Sequence, residues 1–214
     1  MRMICNHNQV WDAEQLLLRL VIRGECFKIV AAALLPSDRP TCVPHWHENI
    51  QDNGAPMKSD PQVIAHLNAQ LKNELTATNQ YFLHYRMLKH WGFTKLAKKE
   101  YEESIGEMKH ADQLMERIFM LDGLPNLQDL GKLLIGENVP EILSCDLQLE
   151  TGAQGTVKDG MAYCESVRDY VSRDLLQGIL NDTEEHIDFL EMQIELLAKV
   201  GLQNYLQSQM GDVS

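Results

Sequence analysis

From Ser59 onward, apolar residues recur with a helical period. At about 100° per residue, one stripe runs Leu67, Leu71, Glu74, Thr78, Tyr81. A second runs Glu107, His110, Leu114, Ile118, Leu121, and a third Leu143, Leu147, Glu150, Val157, Met161. A fourth runs Leu176, Ile179, Thr183, His186, Leu190, Leu197. These stripes predict four long helices. The first opens in "SDPQVIAHLNAQL", where a capping residue precedes Pro61 near the first helical position. It ends at Trp91, before the stop at Gly92. The second spans Thr94 to Leu121, and the third runs from Pro140 to Val167. Gly152, Gly155 and Gly160 weigh against that third helix. The fourth spans Asp169 to Val200 and stops at Gly201, and "LQNYLQSQM" forms a short fifth.

The link between the second and third helices, "GLPNLQDLGKLLIGENVP", is long. Four long helices with one long crossover predict an all-α, ferritin-like four-helix bundle rather than a plain up-and-down one. The pattern fails before Met57. Residues 1–56 carry two proline-bearing clusters, "LLPSDRPTCVPHW" and "DNGAP", and no sustained period. They read as a separate N-terminal extension, either disordered or translated ahead of a start at Met57, with the bundle over 57–214. His45 and His47 flank Trp46 there, a pairing more often surface than ligand. The segment does not make a secretory signal, because charges break its apolar part.

Composition narrows the classes. A formal net charge of −12 argues against nonspecific nucleic-acid binding, which rests on Lys and Arg against phosphates, and suits a protein that handles cations. The five cysteines fit neither a zinc pattern nor a disulfide framework, so a reducing cytoplasm is the simpler location. Arg19, Arg23, Glu25 and Lys28 interrupt the most apolar run, and no membrane span is expected.

The polar residues inside the stripes carry the candidate chemistry. Buried carboxylates are costly unless paired or bound to a cation. A di-iron bundle takes one Glu from each of two helices and a Glu-x-x-His from each of the other two. Glu74 and Glu150 are the single glutamates, and "EMKH" supplies Glu107 and His110 on one helical face. One Glu-x-x-His alone is weak, since a surface ion pair has the same spacing. Four helices each with a polar residue in the stripe make a stronger case. The fourth helix departs: Thr183, not Glu, precedes His186 by three. Glu184 and Glu185 lie off the stripe, and Asp182 at its edge is expected to face solvent. Met108 groups with Tyr101 and Ile105 on the outer side of the second helix. Spacing favours a subunit interface there, with a thioether ligand to haem iron as the other role.

"NELTATNQYFLHYRM", "EYEESIGEMKHAD", "LDGLPNLQDLGKLLIGENV", "RDYVSRDLLQGIL" and "GLQNYLQSQM" resemble the bacterioferritins. The resemblance runs from Met57 to Met210. It implies a hollow shell of about two dozen subunits that stores ferric mineral, each holding a di-iron ferroxidase centre. Glu74 and His110 would serve one non-haem iron, Glu150 and His186 the other, and Glu107 would bridge them. Met108 matches the methionine that ligates haem b together with its copy across a two-fold interface, which makes haem the leading role for it. A ferredoxin-type electron donor is the implied partner.

Three positions depart from the family. Thr183 stands in place of the second bridging glutamate, which predicts weaker iron binding and slower oxidation. Glu102 and Gly106 stand where many relatives carry His and Asp beneath the centre. The resemblance therefore suggests the haem-binding subunit type, in a homo-oligomer or in a mixed shell with a competent second subunit. The alternatives are a fully active ferroxidase, with Asp182 or solvent replacing the bridge, and a DNA-protecting shell protein of the same superfamily, which the charge disfavours.

Overall fold

The computed structural model describes residues 60–211. Helices α1 (Pro61–Trp91), α2 (Thr94–Met120), α3 (Val139–Ser166), α4 (Tyr170–Val200) and α5 (Leu202–Gln209) follow in order. The all-α, four-helix arrangement with a short fifth helix is the one the stripes predict, with ends within two residues of expectation. Helix α1 packs along α2 and α3 along α4, and α1 also meets α3, while α2 and α4 touch more sparsely. The extension over 1–56, with its His45–Trp46–His47 run, lies outside the described residues.

Local chemistry explains the helix ends. Asp60 Oδ1 accepts the Gln62 N–H at 2.8 Å, and Pro61 fills a position whose N–H no helix bond needs. Asn138 Oδ1 accepts the Glu141 N–H at 3.0 Å, and the Glu141 carboxylate answers by accepting from the Glu137 N–H and the Asn138 amide. Asp169 caps α4 through the Ser172 N–H and also takes the buried Arg117 guanidinium at 2.8 Å, which ties the end of α2 to the start of α4. Gly92 ends α1 at φ 88°, a conformation that costs glycine least. Helix α3 stays unbroken through Gly152, Gly155 and Gly160. Tertiary packing overrides the low helix propensity there: a Cβ at Gly160 would sit 3.1 Å from Leu176 Cδ1, so the small residue permits close approach of α4.

The crossover over 121–138 contains no helix or strand and is pinned to α1 by residues spaced every four positions. Asn68 Oδ1 accepts the Asn126 N–H at 2.7 Å, and Lys72 pairs with Asp129 at 2.9 Å. Thr76 Oγ1 accepts from Gly131 N–H and Gln80 Oε1 from Leu134 N–H, both at 2.8 Å, and His84 Nε2 accepts from Gly136 N–H at 3.2 Å. Spacing of four places all five side chains along one face of α1, where four accept from the crossover's backbone N–H groups and Lys72 meets the Asp129 carboxylate.

The core divides into two apolar clusters. One holds Leu67, Leu71, Leu114, Ile118, Val157 and Leu176; the other holds Leu88, Leu96, Ile142, Leu143, Leu190 and Tyr205. On every long helix a buried polar segment separates them: 74–84 on α1, 100–107 on α2, 146–150 on α3 and 183–186 on α4. The apolar ends supply the stability that lets this polar middle exist.

Candidate metal centre

All five candidate ligands meet in the polar middle. His110 Nδ1 lies 3.1 Å from Glu107 Oε2 and 3.4 Å from Glu74 Oε2. Across the bundle, His186 Nδ1 lies 2.9 Å from Glu150 Oε1. Glu74, Glu107 and His110 offer donor atoms within 4.8 Å of one another, and so do Glu103, Glu107 and His186. Glu107 thus belongs to both groups. His186 Nε2 is buried without a hydrogen-bond partner. Gln70 donates to Glu74, and Tyr81 donates its hydroxyl to Glu150.

Burial and crowding shift the titration of these groups. Burial and the neighbouring Glu74 push the Glu107 carboxyl up to about 8. Burial opposes protonation of His110, but hydrogen bonds to Glu107 and Glu74 prevail and carry it up to about 11. Burial raises Glu150, partly offset by His186. Burial likewise opposes protonation of His186, yet the Glu150 hydrogen bond raises it. Without a cation, then, the centre holds protons, and a divalent ion competes for the same lone pairs.

Thr183 is buried and faces a narrow opening shared with Glu74, Glu107 and Glu150. A second opening of about 200 Å³ lies between α2 and α4, lined by Glu103, Gly106, Glu107, His110, Asp182 and His186. Asp182 is largely exposed, as expected, and makes one contact that the stripe did not predict. Its side chain is 64% exposed, yet Oδ2 lies 2.9 Å from His110 Nε2. The helical stripe sets the direction of Cβ, but the gap between α2 and α4 brings the carboxylate within reach. Glu184 faces outward, pairing with Lys158 at 3.2 Å. Glu102 is exposed, with Lys98 at 3.7 Å. Sequence reasoning passed over Glu103, although it lies four residues before Glu107 and shares its side of α2.

Met108 stands on the outer face with Tyr101 and Ile105, all exposed. Phe82 and Tyr85 of α1 extend that apolar surface, with ring centroids of Tyr85 and Tyr101 5.1 Å apart. Among the described residues no helix is long and apolar enough to cross a membrane.

A family model described as a ferritin-like domain matches residues 64–200. The chain is similar to the bacterioferritin of Brucella melitensis, 52% identical over 151 residues that cover 71% of this chain and 94% of the relative. It is 47% identical to the bacterioferritin of Rhodobacter capsulatus over 149 residues, 70% of this chain and 92% of that one. Against the bacterial ferritin of Pseudomonas aeruginosa it is 46% identical over 154 residues, 72% of this chain and 99% of the relative. With its ends capped as a four-helix bundle and its carboxylates and histidines gathered in the middle, the chain belongs to the bacterioferritin family.

Proposed function

We propose that this chain is an iron-storage subunit of a hollow cytoplasmic shell. It takes Fe²⁺ as substrate at Glu74, Glu107, His110, Glu150 and His186, and its ferroxidase centre is weakened by Thr183. The observation that carries this is the position of Glu107, which shares one donor group with Glu74 and His110 and another with His186. One carboxylate within reach of two ion positions is the arrangement a paired centre needs. The donor set fits iron, since carboxylate oxygens and imidazole nitrogens suit it and the unpartnered His186 Nε2 marks a ring not saturated by the protein. Bound iron would supply the electrons that reduce O₂. The protein's part is to hold the ions close together and to release protons from Glu107 and the histidines as they bind. A neutral hydroxyl at Thr183 cannot offset cation charge as a fourth glutamate would, so both ions are held less firmly.

On the outer face, Met108 and its copy from a second subunit would hold haem b. A thioether on a face that also exposes Tyr101 and Ile105 is a soft donor on an apolar surface, which suits the flat ring of a haem. The haem would supply one-electron redox chemistry, and a ferredoxin-type electron donor is the partner this reading implies. The shell is a homo-oligomer or a mixture with a second bacterioferritin subunit.

A fully active ferroxidase is the alternative, and Glu103 favours it. Its Oε2 lies 3.9 Å from His186 Nδ1, in the group that includes Glu107, so it can supply the carboxylate that Thr183 lacks. Purified protein mixed with Fe²⁺ and O₂, with ferric absorbance followed over time, separates the two. Slower oxidation than in Thr183→Glu supports the weakened centre, and equal rates support the active one.

A further inference from the structure

A second polar cluster lies in the bundle, and the function above does not use it. Glu100 on α2 is fully buried, and neither of its carboxylate oxygens has a hydrogen-bond partner. It faces His84 of α1 and Asp146 of α3, also fully buried, and one donor atom from each of the three lies within 4.8 Å of the other two.

The surroundings of Glu100 are built in detail. His84 Nε2 accepts the Gly136 N–H, so the ring proton sits on Nδ1 and is donated to Asp146, 2.9 Å from Oδ1 and 3.0 Å from Oδ2. Gln80 Nε2 donates to Asp146 Oδ1 at 2.8 Å. Residue 136 must be glycine for this approach, because a Cβ there would lie 2.3 Å from the Ile142 nitrogen. His84 and Gln80 therefore hold Asp146 in place, while Glu100, opposite, is held by nothing. A buried carboxyl in that position keeps its proton or meets a cation. Burial and the Asp146 charge favour the proton. Protonation removes the charge but leaves both oxygens of Glu100 without partners. A cation satisfies the oxygens and offsets both carboxylates at once.

We propose that Glu100 and Asp146 bind a divalent cation, with His84 as the outer partner that orients Asp146. The donors are hard oxygens and the two negative charges match a dication, which suits Mn²⁺ or Fe²⁺ better than a thiophilic metal. On binding, Glu100 gives up its proton to solvent, so each cation taken up releases one proton. The site shares no residue with the Glu74, Glu107 and His110 group.

Metal-free assembled protein titrated with Mn²⁺, with free ion counted by electron paramagnetic resonance, tests the site. Glu107→Gln disables the first centre and leaves Glu100 untouched; it should still bind one Mn²⁺ per subunit and release one proton in doing so. That equivalent should vanish on adding Glu100→Gln or, independently, Asp146→Asn. The proposal is overturned if Glu107→Gln binds no Mn²⁺ tightly, or if its Mn²⁺ survives both further substitutions. It is equally overturned if the infrared carbonyl band of a protonated acid, assigned through Glu100→Gln, persists at saturating Mn²⁺.

Discussion

Asp182 Oδ2 lies 2.9 Å from His110 Nε2, on the ring nitrogen opposite the one that faces Glu107 and Glu74. That places Asp182 behind the imidazole, on the side away from Glu107 and Glu74. Donation from Nε2–H to a carboxylate fixes the tautomer that leaves Nδ1 free to bind a cation and raises its basicity. Asp182→Ala should therefore lower Co²⁺ affinity at the centre by about tenfold or more, as measured by calorimetric titration. Unchanged affinity would mean that the carboxylate is only a solvated charge.

The protons held by the metal-free centre set a pH dependence. The folded protein keeps a proton on Glu107 from its ordinary 4.5 up to about 8, and on His110 from 6.5 up to about 11. Across both windows the unfolded chain binds fewer protons, so stability falls as pH rises. For His110, the gain is complete below 6.5 and is lost toward about 11. For Glu107, the penalty starts above 4.5 and is complete beyond about 8. Thermal melts with a chelator present should show a midpoint that declines from about pH 5 toward about pH 11, and saturating Co²⁺ should flatten the decline because the cation replaces the protons.

Met108→Leu should abolish methionine-ligated haem absorbance in protein reconstituted with haem. The side chain is 45% exposed on the outer face, so unfolding should shift by no more than about 0.5 kcal/mol. Retained absorbance would assign the haem elsewhere.

Two glycine substitutions should move stability in opposite directions. Gly136→Ala places a methyl 2.3 Å from the Ile142 nitrogen and 2.7 Å from the Glu141 carbonyl carbon, backbone that cannot rotate away. It should cost about 1–3 kcal/mol in denaturant unfolding. Gly152→Ala meets nothing within 4 Å in a helix interior and should add about 1 kcal/mol.

The four stripes were legible because each long helix buries one face, and the Glu and His residues in them were legible because buried polar groups stand out against apolar neighbours. The second polar cluster was equally periodic. His84 lies three residues after Tyr81, Glu100 seven before Glu107, and Asp146 four before Glu150. It has no motif, and only the fold brings its three members together. Asp182 was legible as a residue at the stripe's edge, but not its contact with His110: that partner is 72 residues away, and a helical wheel gives direction without reach. The polar row Asn68, Lys72, Thr76, Gln80, His84 was visible as a spacing of four, but its meaning depended on a segment that has no period of its own.

That row has a consequence for how the chain can change length. Four helical residues advance about 6 Å, and each advance meets two or three residues of the crossover. A single residue inserted in α1 between Asn68 and His84 would turn the downstream rungs by about 100° away from the crossover. One inserted in 126–136 would carry later backbone donors past their acceptors. Insertions and deletions in the two segments are therefore coupled: neither can gain or lose a residue alone without unmating part of the other.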